Sequence, residues 1–324
     1  MNLDSDNFKL QSIFMPYSYK KRLDVASSGR RFVHYTTAAN AINIIRGREV
    51  WMRNTLGMND FMEVEQGLGR IRKFFGNEEK KNMFFGPLDK FAHGVAESTL
   101  GQFLIWQMIF RRNTFIVSIS EHDDKEDHYG RLSMWRAYGK RGVGVAIVLN
   151  SAVFMTESDA LKAYSSPVTY FSDDEFESEI ATILSNIESN GCYIQSMPKS
   201  VIYQSLFTML LFGSVCSKHE GFSEEREWRI VYVPEMHKSP VIRTEVEIID
   251  AIPQTVCKLP LMDIPEQGLI GANLNSLIDR IIVGPCDTPY LVCEALATEL
   301  TKAGVEDAKR KISVSNIPVR SSSF

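Results

Sequence analysis

Apolar and polar positions alternate over several short stretches of the chain, and each such stretch predicts a strand. In RFVHYTT, residues 31–37, alternation sends His34 and Thr36 to one face and Val33, Tyr35 and Thr37 to the other. AANAINIIRG switches to helical spacing, with Ile42 and Ile45 on one face and Gly47 as the stop. EVWMRN returns to alternation and predicts a second strand. Asp60 stands three residues before Glu63, the spacing of a capping box that opens a helix.

Residues 64–112 have helical spacing and few strand signals, and TFIVSIS (114–120) is β-branched and alternating. EHDDKEDHYG reads as a solvated surface loop, followed by a short helix RLSMWRAYG, a glycine turn and a strand VGVAIVL. Residues 155–217 are again mainly helical, REWRIVYV (226–233) is a strand, and 252–271 reads as loop-rich. LIDRIIVGP is a strand, TPYLVCEALATELTKAG a helix with Pro289 at its start and Gly304 at its end, and ISVSNIPVR the last strand. The first thirty residues are polar and mixed and predict a loosely held N-terminal arm.

These strands do not alternate regularly with helices, as a doubly wound sheet would require. The expectation is an α+β fold: an arm over 1–30, then one domain over 31–324 with helical insertions near 64–112 and 155–217.

Composition narrows the function classes. Of 324 residues, 44% are hydrophobic and 23% charged, which fits a globular chain; a net charge of −4 excludes a generally basic nucleic-acid coat. The opening residues carry acids where a secretory signal needs an apolar run. The longest apolar stretch, Val201 to Cys216, is interrupted by Tyr203, Gln204, Ser205 and Thr208 and is shorter than the roughly 20 residues that span a bilayer, so no membrane partner is expected. Five cysteines without a CxxC pair fit neither a disulfide framework nor a zinc site, and point to the cytoplasm. The phosphate-binding and dinucleotide glycine motifs and the hydrolase elbow are missing. His122 and His128, among Asp123, Asp124 and Asp127, read as a solvated charge run, so no metal site is expected.

Four segments place polar groups where a strand or turn is ordinarily apolar. His34 and Thr36 stand at a strand-to-helix junction, where a histidine either donates to a ribose hydroxyl or bonds a backbone carbonyl in the core. In SMWRAYGKRGVGVAIVL, Trp135 and Tyr138 lie three apart on a helix face, Arg136, Lys140 and Arg141 add positive charge, and Gly139, Gly142 and Gly144 allow close approach. In SEEREWRIVYV, Glu225, Glu227 and Arg229 share one strand face near solvent; paired carboxylates there need solvation or a cation, which Arg226 or Arg229 can supply. In GMNDFME, Asn59 and Asp60 read as turn and cap residues.

The order HYT, ND, MWRAYG, EREWR, IIVGP and IPVR resembles a widespread bacterial family catalogued as a domain of unknown function, over nearly all of residues 31–320. More distantly, the same segments are similar to the ADP-ribosyltransferase fold, with its His-bearing first strand, its Tyr-Gly segment before a strand and its late-strand glutamate. Here His34, Tyr138 with the Gly139/Gly142/Gly144 turn, and Glu227 match those places, and Glu225-Arg226-Glu227 resembles the Glu-x-Glu pair of the arginine-modifying branch. The glycine spacing departs from the pattern by one residue.

The resemblance implies a split, mostly antiparallel sheet and an activity that consumes NAD. Cleaving the nicotinamide–ribose bond passes through an oxocarbenium-like state, which a carboxylate stabilises. The catalytic role then falls to Glu227, with Glu225 beside it. His34 and Thr36 orient a ribose, and Tyr138, Tyr35 or Trp135 holds nicotinamide. Arg53, Arg136 or Arg141 meets the pyrophosphate by bidentate geometry. The implied acceptor is a macromolecule (RNA, DNA or protein), in the manner of a toxin or defence effector with room for a neutralising antitoxin. The other function class is a non-catalytic nucleotide- or partner-binding module of the same fold.

Overall fold

A computed structural model describes residues 5–57, 62–138, 142–156 and 158–318. The chain opens with α1 (Asp6–Phe14) and α2 (Pro16–Ser28). Where the sequence reads as a loose arm, Phe8, Ile13, Phe14 and Val25 are buried. Pro16 breaks the stretch into two short helices whose apolar positions are too few to stand out against the polar background.

Next come β1 (Arg31–Thr37), α3 (Ala38–Gly47) and β2 (Glu49–Asn54), all three as the pattern predicts. Thr37 caps α3 by accepting from the Asn40 backbone N–H, Ala41 and Ile45 bury its inner face, and Arg48 ends it in the left-handed region at φ 51°. The helical stretch that follows divides into α4 (Met62–Phe75), α5 (Glu78–Ala92) and α6 (Val95–Arg112). The expected cap at Asn59 and Asp60 lies outside the described residues.

After β3 (Phe115–His122) the acidic stretch forms a 3₁₀ turn over Asp124–His128, and it is not the solvated loop expected. Glu121, His122, Glu126 and Asp127 are buried. Asp127 accepts from Arg31 Nη2, His122 Nε2 and Arg280 Nη1, each at 2.9 Å. A charge run can be buried when such partners meet it.

There follow α7 (Leu132–Tyr138), β4 (Gly144–Leu149), β5 (Tyr164–Pro167), α8 (Asp173–Ser189), α9 (Gly191–Ser196) and α10 (Lys199–Val215). A Ser172–Glu175 capping box and three acids in the first turn start α8. Beyond these lie β6 (Glu227–Tyr232), β7 (Arg243–Ile249) and β8 (Ile252–Pro260). The β7–β8 hairpin corrects the loop expected over 252–271. Its two-residue turn, Asp250–Ala251, has φ of 53° and 64°, a geometry ordinarily signalled by glycine or asparagine. The chain ends with α11 (Leu274–Leu277), β9 (Ile278–Val283), α12 (Pro289–Lys302) and β10 (Ile312–Val314).

The chain divides into two compact units, each assembled from three segments, where the sequence suggests one domain. The first comprises Met1–Asp24, Arg53–Ile116 and Tyr164–Lys238. Its core is helical: α10, apolar around most of its circumference, packs on α4 and α6. Gly67 permits the α4–α10 approach, since a Cβ there would lie 2.2 Å from the Ser214 carbonyl oxygen. β5 and β6 pair antiparallel in this unit.

The second unit comprises Val25–Met52, Val117–Ala163 and Ser239–Phe324. In it β10 pairs parallel with β9, while β9–β4, β4–β1, β1–β3 and β7–β8 are antiparallel. The fold is therefore mixed helix and sheet, with mostly antiparallel strand pairing. No helix among the described residues is long and apolar enough to cross a membrane.

Candidate functional site

The second unit holds His34, Tyr35, Thr36, Trp135, Arg136 and Tyr138. His34 is half-buried on β1, and its Nδ1 lies 2.9 Å from the Ser118 carbonyl oxygen. Burial pushes its pKa below the ordinary value, and the Ser118 bond only partly opposes that. The ring is neutral, Nδ1–H donates to Ser118, and Nε2 keeps its lone pair. A neutral ring held this way has an acceptor at Nε2 and no proton there to donate.

Tyr35 and Trp135 are core residues, 3% and 1% exposed. Their rings meet edge to face, with centroids 5.0 Å apart. Tyr35 Oη accepts from the Arg131 backbone N–H at 2.9 Å, and Trp135 Nε1 donates to the Tyr129 carbonyl at 2.7 Å. With both rings enclosed and both polar tips engaged, neither offers a face to a flat ligand. Tyr138 is 41% exposed. Thr36 is buried and Arg136 exposed. Arg141, with Gly139 and Lys140, lies outside the described residues.

The first unit holds Arg53, Glu225 and Glu227. Glu227 opens β6, but it is only 5% exposed and does not sit near solvent. Its Oε1 accepts from Arg229 Nε at 2.9 Å, and its Oε2 is 3.4 Å from Lys218 Nζ. Arg229 is itself 1% exposed and also donates to the Val215 carbonyl. Glu225 departs from the expected strand. It closes a 3₁₀ turn over Glu220–Glu225, and Arg226, at φ 45°, turns the chain into β6. Its carboxylate nevertheless meets Lys218 Nζ at 2.7 Å, so one ammonium gathers both glutamates. Arg53, on β2, donates from Nη2 to the Gly57 carbonyl.

Two residues that local reasoning misses complete this cluster. Lys218 follows α10 without any motif, and its Nζ also stands 4.7 Å from the centre of the Phe222 ring. Tyr170 Oη accepts from the Glu227 backbone N–H at 2.9 Å, from 57 residues away in sequence. Burial raises the Tyr170 pKa, keeping the phenol neutral. Among the described residues, no group of three or more His, Cys, Asp or Glu is placed to hold a metal ion.

Comparison with known proteins adds one match. A family model described as "Protein of unknown function (DUF2971)" covers residues 134–230. That span contains Trp135, Arg136, Tyr138, Lys218, Glu225 and Glu227, and leaves out His34 and Arg53. No curated protein and no solved structure matches the chain.

Proposed function

We propose that this protein is an NAD-dependent ADP-ribosyltransferase with an ADP-ribosyltransferase-like fold, acting on an intracellular macromolecule (nucleic acid or protein) as a toxin or anti-phage effector. The reading is supported by the gathering of Glu225 and Glu227 around Lys218 at the head of a late strand, the place where the resemblance calls for a glutamate.

In this reading the glycosidic electron pair leaves with nicotinamide, and the acceptor nucleophile bonds to ribose C1′ and gives up a proton. Glu227 provides fixed negative charge toward the oxocarbenium-like state, and Arg229 and Lys218 hold its carboxylate in one orientation. The resemblance gives His34 a ribose contact and Tyr138 the nicotinamide platform, and both residues belong to the second unit.

A second reading, a non-catalytic module that binds a nucleotide or partner, is favoured by one specific observation. The Glu227 carboxylate already has two cationic partners, which offsets the charge that a transition state would use. Incubation with labelled NAD and separate protein, RNA and DNA pools separates the two. Transfer of label into one pool, lost in Glu227→Gln, supports the enzyme; NAD binding in calorimetry without label transfer supports the module. Binding of ATP without binding of NAD would defeat the NAD assignment and leave the nucleotide-binding module.

A further inference from the structure

The first unit contains a cavity of about 80 Å³ that the candidate site does not use. Phe14 from α1, Ile71 and Phe75 from α4, Phe176 and Ile183 from α8 and Leu210 from α10 line it, so its wall is mostly hydrocarbon. One charged group interrupts that wall. Glu179 of α8 accepts from the Tyr17 backbone N–H through Oε1 at 2.8 Å, and its carboxyl has no second hydrogen-bond partner and no ion pair among the described residues. No lysine, arginine or histidine is among the described residues that line the cavity. Burial raises the Glu179 pKa, opposed only in part by the Tyr17 bond.

A second observation, at Gly213, concerns the space itself. Gly213 lines the cavity from the last turn of α10, where its backbone is helical and does not require glycine. A Cβ there would meet nothing closer than Ile71 Cδ1, at 3.8 Å, an ordinary contact. Alanine would fit and would favour the helix, whereas glycine leaves the wall open. Gly67, in the same core, is the opposite case: a Cβ there would lie 2.2 Å from the Ser214 carbonyl oxygen, so packing demands the glycine.

We propose that this cavity binds a small apolar amine, its alkyl chain among the phenylalanine and aliphatic side chains and its ammonium on Glu179. Size and charge both point there. The volume is about half that of an engineered apolar cavity of roughly 150 Å³ that takes up benzene, so it suits a chain of a few carbons rather than a ring. A carboxylate in an apolar wall favours a cation, repels an anion of the same shape, and gains more from an ammonium than from a neutral donor. Thr169 and Ser217 also line the cavity and are the chain neighbours of Tyr170 and Lys218, so the segments that hold Glu227 form part of its wall. The site stands on this geometry and is independent of the proposed transfer from NAD.

The test is ligand-detected NMR titration and thermal unfolding of the full chain with butylammonium, 1-butanol and butyrate, probes of similar shape and different charge. The wild type is expected to bind butylammonium and to melt higher in its presence, to bind 1-butanol about tenfold more weakly, and not to bind butyrate. Glu179→Gln keeps an oxygen for the Tyr17 N–H and removes the charge. It is expected to fold and to bind butylammonium no better than 1-butanol. Gly213→Ala places a methyl group in the cavity; it is expected to melt higher than the wild type without ligand and to bind butylammonium about tenfold more weakly. Equal binding of the three probes, or a preference for the amine that survives in Glu179→Gln, removes the carboxyl from recognition and overturns the proposal. No binding of butylammonium to the wild type, or binding unchanged in Gly213→Ala, overturns the site. None of these results bears on label transfer from NAD, which Glu227→Gln tests separately.

Discussion

Glu227 and Arg229, two residues apart on β6, form an ion pair 2.9 Å long in which neither side chain reaches solvent appreciably. Alternation puts i and i+2 on one strand face, so the pairing follows from the strand itself. Its burial does not, and burial alters what the pair is worth. At a solvated strand end a glutamate contributes about 1 kcal/mol or less as an ion pair, whereas removing one partner of a buried pair costs about 3–5 kcal/mol.

Glu227→Gln is therefore expected to lower stability by about 3 kcal/mol, because Arg229 remains buried with its main counter-charge gone. Under the proposed function it also lowers label transfer by roughly 100- to 1,000-fold. Denaturant unfolding and transfer measured on one preparation check both. A variant as stable as wild type would contradict the buried pair, and one that transfers at the wild-type rate would remove Glu227 from catalysis and leave Glu225.

Tyr170→Phe deletes the oxygen that accepts from the Glu227 N–H and fills the same space. The expected cost is about 1–3 kcal/mol, the penalty for a buried donor without a partner. Urea midpoints of the wild type and variant measure it; an unchanged midpoint rules out this anchor for the head of β6.

Stability is expected to fall as the solution is acidified from neutral pH. His34 and His122 both have folded pKa values lowered by burial from the ordinary 6.5. Below about 6.5 the unfolded chain takes up protons that the folded chain refuses, so unfolding becomes easier; above it both forms are neutral and the full stability is present. Urea midpoints between pH 5 and 8 should rise with pH and level off, and His34→Asn or His122→Asn should flatten the curve. A curve that rises toward acid would contradict this assignment.

Gly130→Ala is expected to destabilise the second unit, and Trp135→Ala to cost about 3–5 kcal/mol there. Gly130 has φ +66°, and a Cβ on it would lie 2.5 Å from Cζ2 of Trp135, a ring held in the core against Tyr35. Calorimetric melting of the two variants tests this. A Trp135→Ala variant that melts normally but loses NAD affinity would return Trp135 to the ligand and out of the core.

Local pattern was enough for β1 and α3, whose limits match the sequence reading residue for residue. Their signals lie within a few positions: alternation over 31–37, apolar residues at 42 and 45, and Gly47 as the stop. It was also enough to group Glu227 with Arg229, because a two-residue period is a property of any strand. It was not enough for the β7–β8 hairpin, whose Asp250–Ala251 turn adopts a left-handed geometry without the residues that usually announce it. Nor could it reveal what each charged or aromatic side chain would meet. The acidic stretch is buried because Arg31 reaches Asp127 across 96 positions, and Glu227 is anchored by Tyr170 across 57. Tyr35 and Trp135 are spent on the core because strand and helix bring them together across a hundred residues. Sequence spacing carries the periodicity of an element and the chemistry of its residues; whether a charge is solvated or paired, or an aromatic ring free or enclosed, depends on contacts between distant segments, and only the folded chain sets those.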